Sequence, residues 1–209
     1  MIVVGAFQEN AYLVVDEATN RAVLVDPGAE PQRVERMVRD SGATLDAIWI
    51  THAHVDHIGA VAAIRRLWDV PVLLHPLDRP VWERASEAAQ QYGIPFEQPA
   101  LPDTAIADVD LLAVGSTRFT VMHVPGHAPG HVAFVGDDLV LGGDLLFAGS
   151  IGRTDLPYAD GAAMQQSLER IMTLADELSV HPGHGPATTI GTERATNPFL
   201  TGVARPIRR

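Results

Sequence analysis

The sequence predicts a layered α/β protein that forms one domain over residues 1–209. Short apolar runs rich in β-branched side chains, which are typical of buried strands, alternate with runs whose apolar residues recur at helical spacing. Such an alternation favours helices packed on a sheet. Hydrophobic residues make up 46% of the chain and charged residues 20%, so a sizeable core can form. No repeat and no clear linker divides the sequence.

The first half of the chain is predicted to begin with three short apolar strands joined by polar turns. A helix follows, because Val34, Met37 and Val38 fall on one face of residues 30–41 while charged residues fall mostly on the other. In chain order, the predicted elements are strands at 2–5, 11–15 and 22–25, a helix at 30–41, a strand at 47–50, a helix at 58–68 and a strand at 70–75.

The second half begins with residues 77–101, which we predict to be a helical insertion bounded by prolines. Its apolar face is modest, and the sequence leaves open whether it covers a functional site. Strands and one amphipathic helix then follow. The predicted elements are a strand at 117–124, a hairpin at 132–135 and 139–141, a helix at 162–174 and a strand at 178–181.

The densest group of chemically active residues follows the predicted strand at 47–50. His52, His54, Asp56 and His57 occupy six positions between this strand and the next helix, so we predict that they lie on a loop at a strand end. Residues two apart in an extended loop point the same way. His52 and His54 can therefore reach one metal ion, while Asp56 and His57 face a second.

Three further candidate ligands also follow predicted strands, each in a glycine-containing turn: His127, Asp144 and His184. Glycine lets the backbone bend sharply and lets an ion approach closely. Imidazole and carboxylate ligands without a thiolate suit zinc, iron or manganese. Five histidines and two aspartates are the ligands expected for two divalent ions bridged by one carboxylate, and zinc is our first choice.

Composition excludes several other kinds of chemistry. The chain has no cysteine and no lysine, which removes thiolate ligands, cysteine nucleophiles and lysine Schiff bases. Its formal net charge of -11 argues against a nucleic-acid partner. The start lacks a basic signal-peptide region, and no apolar run is long enough to span a membrane. We therefore expect a cytoplasmic protein, a monomer or small homo-oligomer, that acts on a small molecule without contacting membranes.

The ordered motifs resemble those of the metallo-β-lactamase superfamily. They are His-Ala-His-Val-Asp-His at 52–57, Pro-Gly-His-Ala-Pro-Gly-His at 125–131, Gly-Gly-Asp at 142–144 and Gly-His-Gly at 183–185. The resemblance implies a four-layer αββα sandwich with metals at one edge of the two sheets. It also implies one ion held by His52, His54 and His127, and a second held by Asp56, His57 and His184, with Asp144 bridging.

Within the superfamily the chain is similar to the short, single-domain, glyoxalase II-like bacterial branch. The main zinc β-lactamase branch has cysteine where Asp144 stands, and the diiron flavoproteins have glutamate at the position of His54. The similarity implies a dinuclear thioesterase that cleaves substrates such as S-lactoylglutathione by attack of a metal-bound hydroxide. Asp56 and Asp144 would be catalytic. The thiol, with a pKa near roughly 8.5, can leave as thiolate without a strong acid.

Several residues near the ligands receive supporting roles. Arg153 matches a basic position of the family and is predicted to bind a substrate carboxylate, whereas Asp155 stands where the family has an aromatic residue. Asp26 is predicted to orient a ligand imidazole, and His131 to support the ligands from behind. Three other histidines are predicted to be structural: His75, His123 and His181.

Two other functions stay open at this point. The sequence Gly-Arg-Thr-Asp at 152–155 also resembles the glutathione-persulfide dioxygenases, which use a single iron ion. The positions of this chain that most nearly match the ligands of that iron are His52, His54 or His127, and Asp144. A metal-binding protein without catalysis is the third possibility. The complete set of seven ligand residues argues against that possibility.

Overall fold

A computed structural model describes residues 1–206 of the chain. Its strands are β1 (Ile2–Val4), β2 (Glu9–Asp16), β3 (Arg21–Val25), β4 (Thr44–Trp49), β5 (Val72–Leu74), β6 (Thr104–Ala105), β7 (Leu111–Val114), β8 (Thr117–His123), β9 (Val132–Val135), β10 (Leu139–Gly143), β11 (Leu146–Phe147), β12 (Ser150–Ile151), β13 (Ser179–Pro182) and β14 (Thr188–Thr189). Its helices are α1 (Pro31–Ser41), α2 (Val55–Ile58), α3 (Val61–Leu67), α4 (Arg79–Glu83), α5 (Ala85–Tyr92), α6 (Gly161–Ile171) and α7 (Ile190–Thr196), with a 3₁₀ turn at Pro76–Asp78 before α4.

The strands form two six-stranded mixed sheets and one small hairpin, β11–β12. The first sheet has the order β1-β2-β3-β4-β5-β6, and its strands from β3 onward are parallel. The second has the order β14-β13-β10-β9-β8-β7. Strand β9 is antiparallel to both β8 and β10, and β10 is parallel to β13. Strands β8, β10 and β13 therefore run the same way and end at the same edge.

Three apolar clusters separate the layers of the molecule. One lies between the first sheet and α1, α3 and α4, the second lies between the two sheets, and the third lies between the second sheet and α6. Successive residues of one strand belong to different clusters, because strand side chains alternate between faces. In β9, for example, Phe134 faces the other sheet while Ala133 faces α6. The predicted four-layer αββα sandwich is confirmed.

The histidine segment differs from its prediction in two respects. Asp56 and His57 do not lie on a loop; they lie inside the short helix α2, which starts three residues earlier than the predicted helix. The single helix predicted over 58–68 is also wrong, because the chain bends between α2 and α3. The bend follows from tight packing. A side chain on Gly59 would come within 2.2 Å of the Gly28 carbonyl oxygen, and the Ala60 amide donates to Pro27 O at 2.9 Å.

The insertion is helical only in its first part. Helix α5 ends at Tyr92, because Gly93 takes a left-handed conformation with φ of 65°. Residues 94–101, which contain two of the prolines, form no regular element. The described part of the chain, residues 1–206, contains no helix that combines the length and the apolar character needed to cross a membrane.

Candidate metal centre

The candidate site lies at the sheet edge where strands from both sheets end. His52 and His54 follow β4, His127 follows β8, Asp144 follows β10 and His184 follows β13. Asp56 and His57 join them from α2. Carboxyl ends of like-directed strands share one edge, so residues far apart in sequence converge there. All seven predicted ligand residues are brought together at this edge.

Their ligand atoms form two triads with one carboxylate between them. Within each triad the donor atoms lie within 4.8 Å of one another, and the triads are His52, His54, His127 and Asp56, His57, His184. Asp144 Oδ2 is 3.4 Å from His127 Nε2 and 3.5 Å from His184 Nε2. Its other oxygen is 3.5 Å from His57 Nε2. Asp144 therefore occupies the position of a bridging ligand.

Several donor atoms of the site lack a hydrogen-bond partner in the protein and could bind a metal ion. His52 Nε2, His57 Nε2 and Asp144 Oδ1 are buried and make no hydrogen bond within residues 1–206. Burying polar atoms without partners is costly, so native proteins normally satisfy them. Divalent ions would satisfy all three atoms at once. The residues present thus fit the pair of ions that the sequence predicts.

Hydrogen bonds on the far side of the rings select which nitrogen faces the site. In four of the five ligand histidines Nδ1 contacts an oxygen, which makes Nδ1 the protonated nitrogen and leaves Nε2 as a lone-pair donor. The four contacts are His52 to Thr51 Oγ1 at 3.1 Å, His57 to Asp26 Oδ2 at 3.0 Å, His127 to Arg153 O at 2.8 Å and His184 to Phe7 O at 3.0 Å.

His54 is turned the other way. Its Nδ1 lies 2.9 Å from His127 Nε2, so Nδ1 is the nitrogen that faces the first triad. Two imidazole nitrogens this close cannot both be protonated without repulsion. An ion held by both nitrogens would remove the conflict, because each nitrogen could then act as a lone-pair donor.

The protonation states of the site follow from burial and from neighbouring charge. Burial lowers the pKa of His52 well below its ordinary value and that of His54 to about 3, and neighbouring imidazoles add to both shifts. Burial also acts against a charged His57, but the carboxylates of Asp144 and Asp56 outweigh it and raise the pKa of His57. The first triad is therefore neutral and ready to bind a cation, while protons and ions compete for the second.

Asp26 and His131 lie where their predicted supporting roles require. Asp26 accepts the Thr51 amide at 2.8 Å and the Thr51 hydroxyl at 2.6 Å, besides contacting His57. His131 is fully buried, and its Nε2 accepts the amide of Asp144 at 3.0 Å. Asp26 thus holds the ring of one ligand, and His131 holds the backbone of another.

Five of the seven candidate ligands form the floor of a cavity of about 470 Å³: His54, Asp56, His127, Asp144 and His184. Helices α4 and α5 supply one wall of it, which answers the question that the sequence left open about the insertion. Residues 147–158 supply the opposite wall. Arg153 lines this wall, but Asp155 accepts its Nε at 2.7 Å and its Nη2 at 2.9 Å. The side chain predicted to bind substrate is thus held by a neighbouring carboxylate.

Sequence reasoning missed several residues of the site. Thr51 links Asp26 to His52, and its place next to the first ligand could have suggested a role. Asp78 accepts the backbone amides of Ala53 and Gly130. Glu9 is buried beside the second triad, and burial raises its pKa well above the ordinary value. Neither acid has a local sequence signal, because each reaches the site through the fold.

The three histidines predicted to be structural lie outside both triads. His75 and His123 stack face to face, with ring centroids 4.2 Å apart and planes 8° apart. His181 contacts Ser179 Oγ at 3.2 Å and the ring of Tyr12.

Comparison with known proteins identifies close relatives. Residues 4–188 match a family model described as the metallo-β-lactamase superfamily. The chain is 35% identical over 205 residues to the hydroxyacylglutathione hydrolase GloC of Haemophilus influenzae, and the alignment covers 96% of each protein. The likeness to this relative therefore extends over nearly the whole of both chains.

Solved structures with a similar fold agree with the sequence comparison. A di-iron-bound form of TTHA1623 has a TM-score of 0.89 at 47% identity, with 95% of this chain and 98% of that chain covered. The BLEG-1 B3 metallo-β-lactamase has a TM-score of 0.89 at 38% identity, with 96% and 98% covered. ETHE1 from Myxococcus xanthus has a TM-score of 0.77 at 29% identity, with 94% and 81% covered.

Proposed function

Because the chain belongs to the metallo-β-lactamase superfamily, we propose that it is a metal-dependent hydrolase of thioesters such as S-lactoylglutathione. The observation that carries this proposal is the pair of ligand triads joined by Asp144 on the floor of one cavity. Similarity to a hydroxyacylglutathione hydrolase over nearly the whole of both proteins supports the choice of thioester.

The proposed site holds two ions, with zinc as our first choice and iron or manganese as alternatives. His52, His54 and His127 would hold one ion, and Asp56, His57 and His184 the other, with Asp144 shared. When bound there, divalent ions supply a nucleophile from water near neutral pH and polarise the thioester carbonyl.

The protein's own residues would position the attacking water and accept its proton. Neighbouring imidazoles outweigh burial and lower the pKa of Asp56, so its carboxylate is ionised at neutral pH. Asp56 Oδ2 lies 3.2 Å from His184 Nε2, which orients it at the cavity floor. We assign Asp56 and Asp144 the catalytic roles, with Asp56 able to accept a proton from the attacking water.

The requirements of the leaving group favour a thioester over an ester or an amide as the substrate. Besides the ligands, the carboxylate that lines the cavity within residues 1–206 is Glu87, whose Oε2 accepts Arg84 Nε at 2.9 Å. A leaving alcohol or amine would need a general acid near the floor. A thiol needs none, since it departs as thiolate.

Thiol release from S-lactoylglutathione, measured on protein whose metal content is counted in the same sample, tests the proposal. We expect turnover with about two ions per chain, lost by 10²-fold or more in Asp56→Ala and His127→Ala. His181→Asn, outside both triads, is the matched histidine control and should retain activity. A chromogenic cephalosporin assayed in parallel reports any lactam cleavage. Absence of thioester turnover in the two-metal protein would refute the assignment.

A glutathione-persulfide dioxygenase is the second candidate. It is favoured by the structural similarity to ETHE1 and by the Gly-Arg-Thr-Asp sequence at 152–155. Oxygen consumption by iron-loaded protein with glutathione persulfide would support it. No consumption under these conditions would remove it.

We also propose a small-molecule substrate, no nucleic-acid or membrane partner, a cytoplasmic location and a monomeric or small homo-oligomeric state. Light scattering of the purified protein and fractionation of the source cells test the last two directly.

A further inference from the structure

The wall of the cavity formed by the insertion carries a cation, Arg84, at the junction of α4 and α5. Its Nη1 donates to the hydroxyl of Tyr158 at 3.1 Å, and its Nε to Glu87. Within residues 1–206, Arg84 Nη2 makes no hydrogen bond. A guanidinium presents five N–H donors, so Arg84 keeps an edge that can bind a planar anion.

Tyr158 reaches Arg84 from the opposite wall, 74 positions further along the chain. Its φ is 67°, a left-handed backbone conformation that bulky residues rarely adopt. Such outliers cluster at ligand-binding sites, where the surrounding structure maintains them. The unusual backbone places the phenol hydroxyl beside the guanidinium, at the mouth of the cavity.

Charge distribution makes this pair a distinctive feature of the molecule. The chain as a whole carries a formal net charge of -11 and repels anions. Apart from the ligands, the charged residues that line the cavity are two arginines and one glutamate. Arg153 donates to the Asp155 carboxylate from both Nε and Nη2. The two side chains are similarly exposed, 58% for Arg84 and 59% for Arg153, but in the described part of the chain Arg84 gives only one hydrogen bond to a carboxylate. Its charge is therefore less neutralised and is better placed to attract an incoming carboxylate.

We propose that Arg84 and Tyr158 form a subsite that binds the carboxylate of the substrate's thiol carrier, while the thioester lies on the ligand floor. The proposed substrate is thus a thioester whose carrier ends in a carboxylate. Glu87 competes for the same guanidinium and weakens the subsite. This inference rests on the proposed thioesterase function for its substrate, and its own evidence is the geometry of the cavity mouth.

Two thioesters with the same acyl group test the subsite: S-lactoylglutathione, whose carrier has carboxylates, and S-lactoyl-N-acetylcysteamine, whose carrier has none. Arg84→Gln should lower the preference for the anionic thioester, measured as the ratio of kcat/KM values, about 10-fold and through KM. Tyr158→Phe should lower it less, and Glu87→Gln should raise it. Arg79→Gln is the control, because Arg79 lies in α4 close to Arg84, pairs with Glu83 and does not line the cavity.

Binding of S-methylglutathione, a thioether that cannot be hydrolysed, separates the subsite from the reaction. Weaker binding to Arg84→Gln than to Arg79→Gln supports the subsite even if no thioester is cleaved, and the proposed function alone then fails. Equal losses on both thioesters, with unchanged thioether binding, would show that the Arg84–Tyr158 bond is only a structural link. That result would overturn the inference.

Discussion

At the scale of single residues, the site depends on which nitrogen of each histidine carries the proton. Asp26 accepts three contacts at once, from the Thr51 amide, the Thr51 hydroxyl and His57 Nδ1. This arrangement keeps the His57 proton on Nδ1 and leaves Nε2 for an ion. The seven candidate ligand residues could be picked from sequence because four short motifs contain them all, and the structure brings them to one sheet edge.

Asp26→Asn should weaken metal binding by about 10- to 100-fold while the protein stays folded. An amide nitrogen facing His57 Nδ1 favours the tautomer with the proton on Nε2, where the ion should bind. Competition with a chromophoric chelator measures the affinity, and circular dichroism checks the fold. Asp40→Asn, on the exposed side of α1, is the control. Unchanged affinity in Asp26→Asn would contradict this role.

Gly183→Ala should remove the second metal ion. The added methyl group would stand 2.2 Å from Asp144 Oδ1 and 2.6 Å from His57 Cε1. Gly185→Ala is a sharp control, because its methyl group meets nothing within 4 Å and only the left-handed backbone is disfavoured, by about 1–2 kcal/mol. The metal content of both variants, measured per chain, tests this prediction. Two ions bound to Gly183→Ala would contradict the predicted clash.

At the scale of elements, the insertion is joined to the ligand loops through one buried carboxylate. Asp78 closes the 3₁₀ turn before α4 and accepts the amide of Ala53, between two ligands, at 2.7 Å. Its second oxygen accepts the amide of Gly130, in the loop after His127. One side chain therefore sets the spacing between the loop of the first two ligands and the loop of the third.

Asp78→Asn should lower both the stability and the metal affinity of the first triad. An amide has a single acceptor oxygen, so one buried N–H loses its partner at a cost of about 1–3 kcal/mol. Urea unfolding and chelator competition measure the two effects. Stability that falls without any change in affinity would show that Asp78 supports the fold but not the ligand spacing.

The long elements could be predicted from sequence and the short ones could not. Helix α6 was predicted at 162–174 and is observed at Gly161–Ile171. Its apolar residues recur over three turns, which placed the start within one residue but carried the predicted end three residues too far. Strands β6 and β14 have two residues each, too few to show a period. Asp78 and Arg84 also have no local sequence signal, because their partners lie elsewhere in the chain.

At the scale of the whole molecule, a stacked pair of histidines connects the two sheets. His75 follows β5 in the first sheet and His123 ends β8 in the second. Burial, with His123 adding to it, lowers the pKa of His75 to about 4. The ring is therefore neutral in the folded protein, and its Nδ1 faces the Leu77 amide at 3.4 Å as an acceptor.

This pair predicts loss of stability in acid. The folded pKa of His75 lies below the unfolded value of about 6.5, so the unfolded chain binds the proton first. The contribution is complete above about pH 6.5 and is lost as the pH falls toward 4, by at most about 1.4 kcal/mol per pH unit for one proton. Urea unfolding across this range measures the slope. His75→Gln should flatten it relative to the wild type, and parallel curves would contradict the assignment.

The convergence of strand ends from both sheets has a consequence for how the protein is made. The predicted first triad is complete in the chain at His127, whereas the second requires His184, after Asp144 has been added. Synthesis from the amino terminus therefore delivers the residues of the first triad before those of the second. His127 is held in place only when β8 pairs with β9, and β9 in turn pairs with β10, so the metal centre that we propose forms together with the second sheet and not ahead of it.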